Sequence, residues 1–346
     1  MEKKTIKQKL ENHGFTNDAL LEYDLKIMDV LPMREVLHLK TKTGDYVLKK
    51  FKLSKNELYY TLAALRHIKQ KGFPVPEIIP ASNGEMFIEK NGMIYFLMEF
   101  LNGREIRFND KNSLRLATQS LAGFHKKTHG FSPPNCPGKL QFGKWVVHFK
   151  ERMKEMLEWT EIAQKGETKF EQMYAKQADR WIEEALYAVD LLSNSSYQEI
   201  SLIEQDLQGF CHHDLEYHNI LKTDANQIAL VDFDYAISDI RTHDLASLIL
   251  RNMRGKDWEW DLEKALFILK NYYNAAQPYE GEERLIHAML RFPQYFYESG
   301  YFYFVEKYSN IERLENRLVG WEKQQEIRER FLQQFENSAR HILKHL

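Results

Sequence analysis

The two segments HHDLEYHN (residues 212–219) and VDFD (residues 231–234) decide the fold. The first matches the pattern H-x-D-x-x-x-x-N, with a carboxylate at Asp214 and an amide at Asn219. The second follows an apolar run and supplies another carboxylate, Asp232. Oxygen ligands of this kind suit Mg²⁺, and phosphoryl transfer from ATP requires these groups in this order. The two segments therefore predict an ATP–magnesium site.

Each polar group of these segments has a predicted role. We expect Asp214 to accept or orient the proton of an acceptor hydroxyl, and His212 to brace the loop. Asn219 is predicted to bind Mg²⁺ through its amide oxygen, and Asp232 to be the main magnesium-binding carboxylate.

A lysine far upstream completes the set that ATP chemistry needs. The run YVLKK ends a β-type segment and places Lys49 where an alternating strand points it across a sheet, while Lys50 faces the other way. Glu57 follows eight residues later, in the first turns of a helix. We expect Glu57 to pair with Lys49 and to hold its ammonium group against the phosphates.

The hydrophobic periodicity predicts the order of secondary structure. Alternating runs over residues 25–53 indicate strands, and residues 56–71 have helical spacing. Two more strands are expected over residues 86–101, after which helical patterns dominate. The predicted fold class is α+β, with a nucleotide-binding lobe over residues 1–100 and a larger, mainly helical lobe over residues 101–346 that carries the catalytic loop and acceptor site.

Composition excludes several classes of protein. The 346 residues carry a formal net charge of −2, so nothing in the global balance recruits nucleic acid or an anionic membrane. The two cysteines, Cys136 and Cys211, are too few for a disulfide framework in a chain of this length. The N-terminus has no continuous apolar stretch after its lysines, and no window reaches the length of a membrane span. We expect a soluble protein made in the cytoplasm without a secretion signal.

Together these motifs resemble the aminoglycoside phosphotransferase and choline kinase branch of the protein-kinase-like folds, where the loop reads H-G-D followed by Asn. Within that branch the layout LKKFK, a helix, GFPVPEI and LMEFLNGREI is similar to the spore coat protein S family. The resemblance implies a bilobal fold whose small lobe has a five-stranded antiparallel sheet and a helix. It also implies that backbone groups of Met98, Glu99 and Phe100 bind the adenine. ATP and Mg²⁺ are the implied cofactors, and the spore coat, with possible coat-protein partners, is the implied location.

The short path after Asp232 favours a small-molecule acceptor. Asp244 follows only twelve residues later, which leaves no room for a long activation loop that could bind a substrate peptide. In related phosphotransferases an acid at the position of Asp244 braces the catalytic loop, and we expect the same role here.

Several features depart from the pattern or have a second interpretation. The turn at residues 31–36 has no glycine to approach phosphates, and Arg34 is either a substitute contact or a solvated side chain. His213 replaces the small residue common in the branch. The aromatic segment at residues 292–304 is either a cage for an ammonium group or, as we favour, core packing. Zinc is the alternative, disfavoured by spacing, for His212, His213, Asp214 and His218.

Three functional hypotheses remain open. The first is an ATP- and Mg²⁺-dependent phosphotransferase that acts on the hydroxyl of a small molecule. The second is a spore coat component that keeps the kinase fold for assembly, with weak or no catalysis. The third, an antibiotic-modifying enzyme, shares the mechanism but predicts an acidic substrate lobe, which the near-neutral charge does not indicate.

Overall fold

The chain divides into two compact units in the computed structural model, which describes residues 5–253 and 260–345. The first unit comprises residues 1–117, 127–140 and 216–237, and the second comprises residues 118–126, 141–215 and 238–346. The sequence predicted a single boundary near residue 100, whereas the first unit also takes in two later segments. The expected lack of a secretory signal rests partly on residues 1–4, which lie outside the described residues.

An antiparallel sheet organises the first unit. Its order is β1-β2-β3-β6-β4, and β5 also pairs with β6. The sheet therefore has six strands instead of the predicted five, because two short strands share the outer edge of β6. The strands are β1 (Ile27–Met33), β2 (Val36–Thr41), β3 (Asp45–Phe51), β4 (Ile78–Ile79), β5 (Ile88–Lys90) and β6 (Met93–Glu99).

Helices cover both faces of this sheet. On one face lie two short helices, α1 (Ile6–Glu11) and α2 (Asn17–Leu21), whose apolar side chains join Leu48 and Leu97 in one core cluster. On the opposite face α3 (Lys55–Gln70) packs against a second cluster that includes Phe96. Since strand residues alternate between faces, Leu48 belongs to the first cluster, whereas Val47 and Phe51 of β3 belong to the second.

A second, three-stranded sheet explains why residues 216–237 belong to the first unit. Strand β7 (Arg104–Glu105) pairs with β8 (Ile220–Lys222), which pairs with β9 (Ile228–Leu230). The backbone N–H of Leu230 also donates to the carbonyl of Pro74, 3.1 Å away. These bonds tie the segment after the catalytic loop to the strand-rich part of the chain.

The second unit is mainly helical, as predicted. The helix over Tyr197–Leu207 was not expected, because its apolar positions lie in a sequence without a strong start signal. A π-helical turn spans Tyr301–Val305. Helix α4 (Lys111–Thr128) contributes to both units; the others are α5 (Trp145–Ala163), α6 (Lys169–Ser193), α7 (Tyr197–Leu207), α8 (Arg241–Asn252), α9 (Leu262–Tyr273), α10 (Glu282–Arg291), α11 (Gln294–Gly300) and α12 (Ile311–Lys344).

The aromatic segment at residues 292–304 contributes to the core of the second unit. Phe296 is fully buried, and its ring stacks on that of Tyr174 with 4.3 Å between centroids. Phe304 stacks on Trp159 in the same region. Core packing, the favoured interpretation, is therefore confirmed for this segment. Within residues 5–253 and 260–345, no helix is both long and apolar enough to cross a membrane.

Candidate active site

Lys49 lies between two carboxylates of the first unit. It extends from β3, is only 7% exposed, and its Nζ lies 2.5 Å from Oδ1 of Asp232 and 2.7 Å from Oδ1 of Asp234. The lysine and Asp232 are separated by 183 positions in sequence. The structure thus brings together two predicted site residues and adds Asp234, the last residue of the VDFD segment. Lys50 points to the other face, as predicted, and donates to the carbonyl of Gly14.

The charges of this group stabilise one another. Burial by itself lowers the pKa of Lys49, but Asp234 and Asp232 outweigh that effect and hold the pKa above its usual value. Burial raises the pKa of Asp234, and the charge of Asp232 raises it further, while Lys49 lowers it. Two carboxylates with one ammonium carry a residual negative charge, which favours a further cation.

Asp232 and Asn219 lie on adjacent backbone segments. The backbone N–H of Val231 donates to the carbonyl of Asn219, with 3.0 Å between nitrogen and oxygen. Asn219 is 2% exposed and ends a short 3₁₀ turn. Asp232 has φ of +67°, a left-handed conformation that Asp and Asn adopt more readily than other residues with a Cβ. The two predicted metal ligands therefore belong to one local structure.

Glu57 does not pair with Lys49, so this prediction is wrong. Its Oε2 accepts hydrogen bonds from the backbone N–H of Ser54 at 3.0 Å and from the Ser54 hydroxyl at 2.7 Å. This is a capping box, in which Glu at the third helical position satisfies the N-cap residue. The carboxylates that reach Lys49 come instead from the segment after β9.

A second lysine, Lys139, was not predicted. It is 4% exposed, and its Nζ donates to the backbone carbonyl of Asp234 at 2.7 Å. Burial lowers the pKa of Lys139, and the charge of Glu57 opposes that effect. It belongs to no recognised motif, so the sequence contained no signal for it.

The predicted adenine-binding residues lie at the end of β6. The backbone N–H of Glu99 donates to the carbonyl of Glu77, and that of Phe100 donates to the carbonyl of Asp45. Met98 is mostly buried in the core cluster against α3. Because the N–H groups of Glu99 and Phe100 are already bonded, an adenine contact at these two residues would use their carbonyl oxygens. The part of Met98, Glu99 and Phe100 in adenine binding stays a prediction.

The turn between β1 and β2 is tight despite its lack of glycine. Met33 pairs with Val36, so Arg34 and Glu35 form the turn, and Arg34 has φ of +52°. The Arg34 side chain is 49% exposed and forms an ion pair with Glu105 at 3.0 Å. Arg34 therefore has a protein partner at this turn.

In the second unit, Asp244 braces the catalytic loop as predicted. Its two carboxylate oxygens accept the backbone N–H groups of His212, at 2.7 Å, and His213, at 2.9 Å. His212 accepts the backbone N–H of Asp214 on its Nδ1, at 3.2 Å. Burial alone would raise the pKa of Asp244, but the hydrogen bond from His125 and the surrounding imidazoles hold it well below its usual range. The loop therefore has a fixed backbone ahead of Asp214.

His213 adopts a conformation that glycine adopts without strain. Its φ is +65°, which explains why a small residue is common at this position in the related branch. The imidazole is held by Asp239, 2.8 Å from its Nε2, and by stacking on His243 with 3.9 Å between centroids. These contacts offset the backbone strain, typically about 1 kcal/mol.

Arg251 is the most informative residue that the sequence did not identify. Its Nη2 lies 3.0 Å from Oδ1 of Asp214, the predicted base, and its Nε donates to the hydroxyl of Ser247. Arg251 lies seven residues after Asp244 in α8, so both project from one face of the helix. That spacing was the only signal in the sequence, and it is too common to have been decisive.

The zinc alternative is not supported. His212 and His213 are bonded to Asp214 and Asp239, respectively, so their ring nitrogens are not directed at a shared ion. A different group, His213, Asp239 and His243, places ligand atoms within 4.8 Å of one another. However, the two imidazoles are stacked 3.9 Å apart with 18° between planes, so their lone pairs lie in separate, nearly parallel planes and do not converge on a tetrahedral ion.

The donor set of the first unit fits Mg²⁺ instead. Asp232, Asp234 and Asn219 offer carboxylate and amide oxygens, which are the hard ligands that Mg²⁺ prefers. The Asp232 side chain is 41% exposed, so a hydrated ion can reach it. The residual negative charge on the two carboxylates supplies the attraction.

Comparison with protein families decides the classification. Residues 34–288 match the sequence profile of the phosphotransferase enzyme family. The chain belongs to the phosphotransferase enzyme family. The matched range includes the lysine strand, the catalytic loop and the VDFD segment.

Two proteins with similar sequences are a spore coat protein and a kinase. Spore coat protein S of Bacillus subtilis (strain 168) is 21% identical over 276 residues, which cover 79% of this chain and 78% of that protein. The homoserine kinase of Agrobacterium fabrum (strain C58 / ATCC 33970) is 24% identical over 67% of this chain and 64% of the kinase. The match thus spans slightly less than two thirds of that kinase. The predicted resemblance to spore coat protein S is confirmed.

Solved structures confirm the α+β protein-kinase-like fold. An aminoglycoside phosphotransferase from Alicyclobacillus acidocaldarius has a TM-score of 0.76 and 20% identity, with coverage of 96% of this chain and 97% of that chain. Spectinomycin phosphotransferase APH(9)-Ia, solved with ADP and spectinomycin, has a TM-score of 0.64 and 11% identity, with coverage of 95% and 99%. At these identities the likeness establishes the fold alone.

Proposed function

We propose that this phosphotransferase-family chain uses ATP and Mg²⁺ to phosphorylate a hydroxyl group of a small molecule. The observation that carries the proposal is the position of Lys49 between Asp232 and Asp234, since a buried lysine beside two acids is the arrangement that phosphate binding needs. The ADP-bound relative with the same fold supports nucleotide use. The short segment between Asp232 and Asp244 supports a small acceptor.

The proposed transfer assigns one role to each residue. The acceptor hydroxyl oxygen attacks the γ-phosphorus of ATP, and the bond from that phosphorus to the β-phosphate oxygen breaks, which releases ADP. The hydroxyl proton passes to a carboxylate oxygen of Asp214. Lys49 attracts the phosphate oxygens, while His212 and Asp244 keep the backbone of the loop in place. Arg251 positions the Asp214 carboxylate through their ion pair.

Asp232, Asn219 and Asp234 would hold Mg²⁺. The ion, when bound, neutralises charge on the phosphate oxygens. Lys49 pairs with the same two acids, so its ammonium has to exchange one of these contacts for phosphate when nucleotide binds. The ammonium of Lys49 holds the two acids close together before the ligands arrive.

The similarity to spore coat protein S supports a second proposal, namely a location in the spore coat with other coat proteins as partners. One version of this proposal is that the chain is a structural component of the coat that retains the kinase fold with weak or no catalysis. A coat-located enzyme and a purely structural coat component would share the same location, and they differ in whether the chain binds ATP.

Calorimetric titration with ATP and Mg²⁺ tests the proposal. We expect saturable binding by the unaltered protein and at least a tenfold loss of affinity in Asp232→Asn. Asparagine is the right replacement because it tolerates the left-handed conformation at this position and removes only the charge. The matched control is Asp224→Asn, an exposed acid in the turn between β8 and β9, which should bind as the unaltered protein does.

Absence of ATP binding by the unaltered protein would overturn the enzyme proposal and favour the coat component. Binding that survives in Asp232→Asn would instead move the metal site to other residues. Thermal unfolding of each variant verifies that the folded state is retained.

A further inference from the structure

Arg152, on α5 of the second unit, is a cation in aromatic surroundings. Its guanidinium carbon lies 5.6 Å from the centroid of the Trp145 ring and 5.3 Å from that of Tyr297. Its Nη1 donates to Oε1 of Gln294 at 2.8 Å. A guanidinium has five N–H donors in a planar fork, so the amide of Gln294 and the hydroxyl of Tyr297, both neutral, satisfy only part of its capacity.

The charge of Arg152 is not matched by a contacting carboxylate. In the described parts of the chain it forms no ion pair, whereas the buried Arg241, Arg291 and Arg328 each lie within 3.1 Å of a glutamate oxygen. Burial lowers the pKa of Arg152, which expresses the cost of keeping a cation away from water. A guanidinium that is desolvated without a contacting carboxylate is a candidate for binding an anion from outside the protein.

A row of stacked rings connects this cation to the catalytic loop. Trp145 stacks on His243 with 4.6 Å between centroids, and His243 stacks on His213 with 3.9 Å between centroids. His213 is the residue directly before Asp214. Hydrogen bonds from the Trp145 indole to both carboxylate oxygens of Asp239 fix the row. Arg152 therefore lies at the far end of a rigid wall that begins beside the proposed base.

The neighbouring charges favour a singly charged anion. Glu155 accepts the hydroxyl of Tyr297 at 2.8 Å, and Glu298 is paired with Arg317 at 2.7 Å. Both acids act on Arg152 from a distance and would repel a dianion such as a phosphate monoester more strongly than a carboxylate. A carboxylate also matches the fork of the guanidinium with two parallel hydrogen bonds.

We propose that Arg152 binds a carboxylate of the acceptor, so that the substrates are small hydroxylated carboxylic acids. The hydroxyl of such an acid would lie toward Asp214 and its carboxylate toward Arg152. The inference rests on the proposed phosphotransferase function for turnover, whereas the binding of the acid is a separate property. A test can therefore separate failure of one from failure of the other.

The experiment compares acceptors that differ only in the carboxylate. Glycerate with glycerol, and homoserine with 3-aminopropanol, are titrated into the protein in the presence of Mg²⁺ and a non-hydrolysable ATP analogue. ADP release is then measured with ATP. We expect the acid of at least one pair to bind at least tenfold more tightly than its neutral partner. Arg152→Gln should abolish that preference, since a charge-assisted hydrogen bond contributes roughly 10- to 100-fold to affinity.

Two further variants complete the design. Arg152→Lys keeps the charge but loses the fork, so it should retain part of the preference. Lys154→Gln, in the same helix with a side chain that is 78% exposed, should retain all of it. If Arg152→Gln fails to fold, the carboxylate site is still tested by the affinities of the matched acceptor pairs for the unaltered protein and for Arg152→Lys.

Each outcome bears on one proposal. Equal binding of acid and neutral partners, or a preference that persists in Arg152→Gln, overturns the carboxylate site while leaving phosphotransfer intact. Preferential, Arg152-dependent binding without ADP release supports the site and removes the catalytic proposal. Inorganic phosphate that displaces the acid more strongly than acetate does would overturn the assignment to a carboxylate.

Discussion

The ion pair between Arg251 and Asp214 places a guanidinium group in contact with the carboxylate of the proposed base. Their separation of 3.0 Å fixes the position of Oδ1 of Asp214. The position of the Asp214 carboxylate is therefore set in part by a residue outside the H-x-D-x-x-x-x-N pattern.

Replacing Arg251 should lower turnover without altering nucleotide affinity. We expect Arg251→Gln to reduce kcat for ADP release about 10- to 100-fold, because the carboxylate loses its positioning contact, while Arg251→Lys should retain more activity. Steady-state kinetics with ATP measure the effect, and Asp214→Asn sets the lowest rate. Turnover in Arg251→Gln equal to that of the unaltered protein would contradict the role.

His213 illustrates how the backbone conformation at a position determines which residue type is favoured there. A left-handed φ of +65° makes glycine the easy choice, and the family pattern H-G-D follows from that geometry. Here the imidazole contacts compensate, and they also anchor the ring row that leads to Arg152. The substitution that looked like a departure in the sequence therefore contributes to the acceptor side of the proposed site.

Helix α3 shows how a correct element can carry a wrong residue assignment. The helical spacing was predicted correctly, but Glu57 was assigned to Lys49, whereas it forms a capping box with the N-cap residue Ser54. A glutamate three residues after a serine N-cap has a local partner, and the local contact forms at almost no entropic cost. The capping box therefore outcompetes a long-range pair.

Glu57→Gln tests this correction. Glutamine can take the same place in a capping box, so the helix should remain stable, and we expect the affinity for ATP and Mg²⁺ to stay within about twofold. Calorimetric titration measures the affinity, and Lys49→Met serves as the control that should lose binding. A tenfold loss in Glu57→Gln would restore the pair between Lys49 and Glu57.

At the scale of the whole molecule, stability depends on a cluster in the second unit in which one guanidinium forms ion pairs with two acids. Arg241 lies 3.0 Å from Glu282 and 3.5 Å from Glu204. Burial raises the pKa of Glu204 to about 7, although Arg241 and the hydroxyl of Tyr279 oppose the increase. The folded state therefore binds a proton at Glu204 that the unfolded chain releases near pH 4.5.

The stability of the protein should consequently decrease with pH over this range. Between pH 4.5 and 7 the folded state holds more protons than the unfolded state, so the free energy of unfolding falls as the pH rises. Glu204→Gln removes this term. We expect the variant to gain up to about 3 kcal/mol relative to the unaltered protein at pH 8, and little at pH 4. Urea unfolding at both pH values measures the difference, and an equal effect at both would contradict the linkage.

Much of the fold was predictable because its signals are local. The strands over residues 25–53 and 86–101, the helix over residues 56–71 and the later helices each follow from hydrophobic periodicity. The sixth strand and α7 were missed since both are short or lack a strong start signal. The unit boundaries were also missed, because residues 216–237 join the first unit through pairing with β7 and the contacts of Lys49.

The sequence by itself determined the family-level chemistry, since the spacing of Asp214, Asn219 and Asp232 is set by bonds along the chain. Only the tertiary structure decided which charges meet. Lys49 pairs with Asp232 and Asp234, Asp214 pairs with Arg251, and Arg152 has no contacting acid among residues 5–253 and 260–345. Such pairings depend on where distant segments pack, and an ion pair across 183 positions leaves no trace in a local pattern.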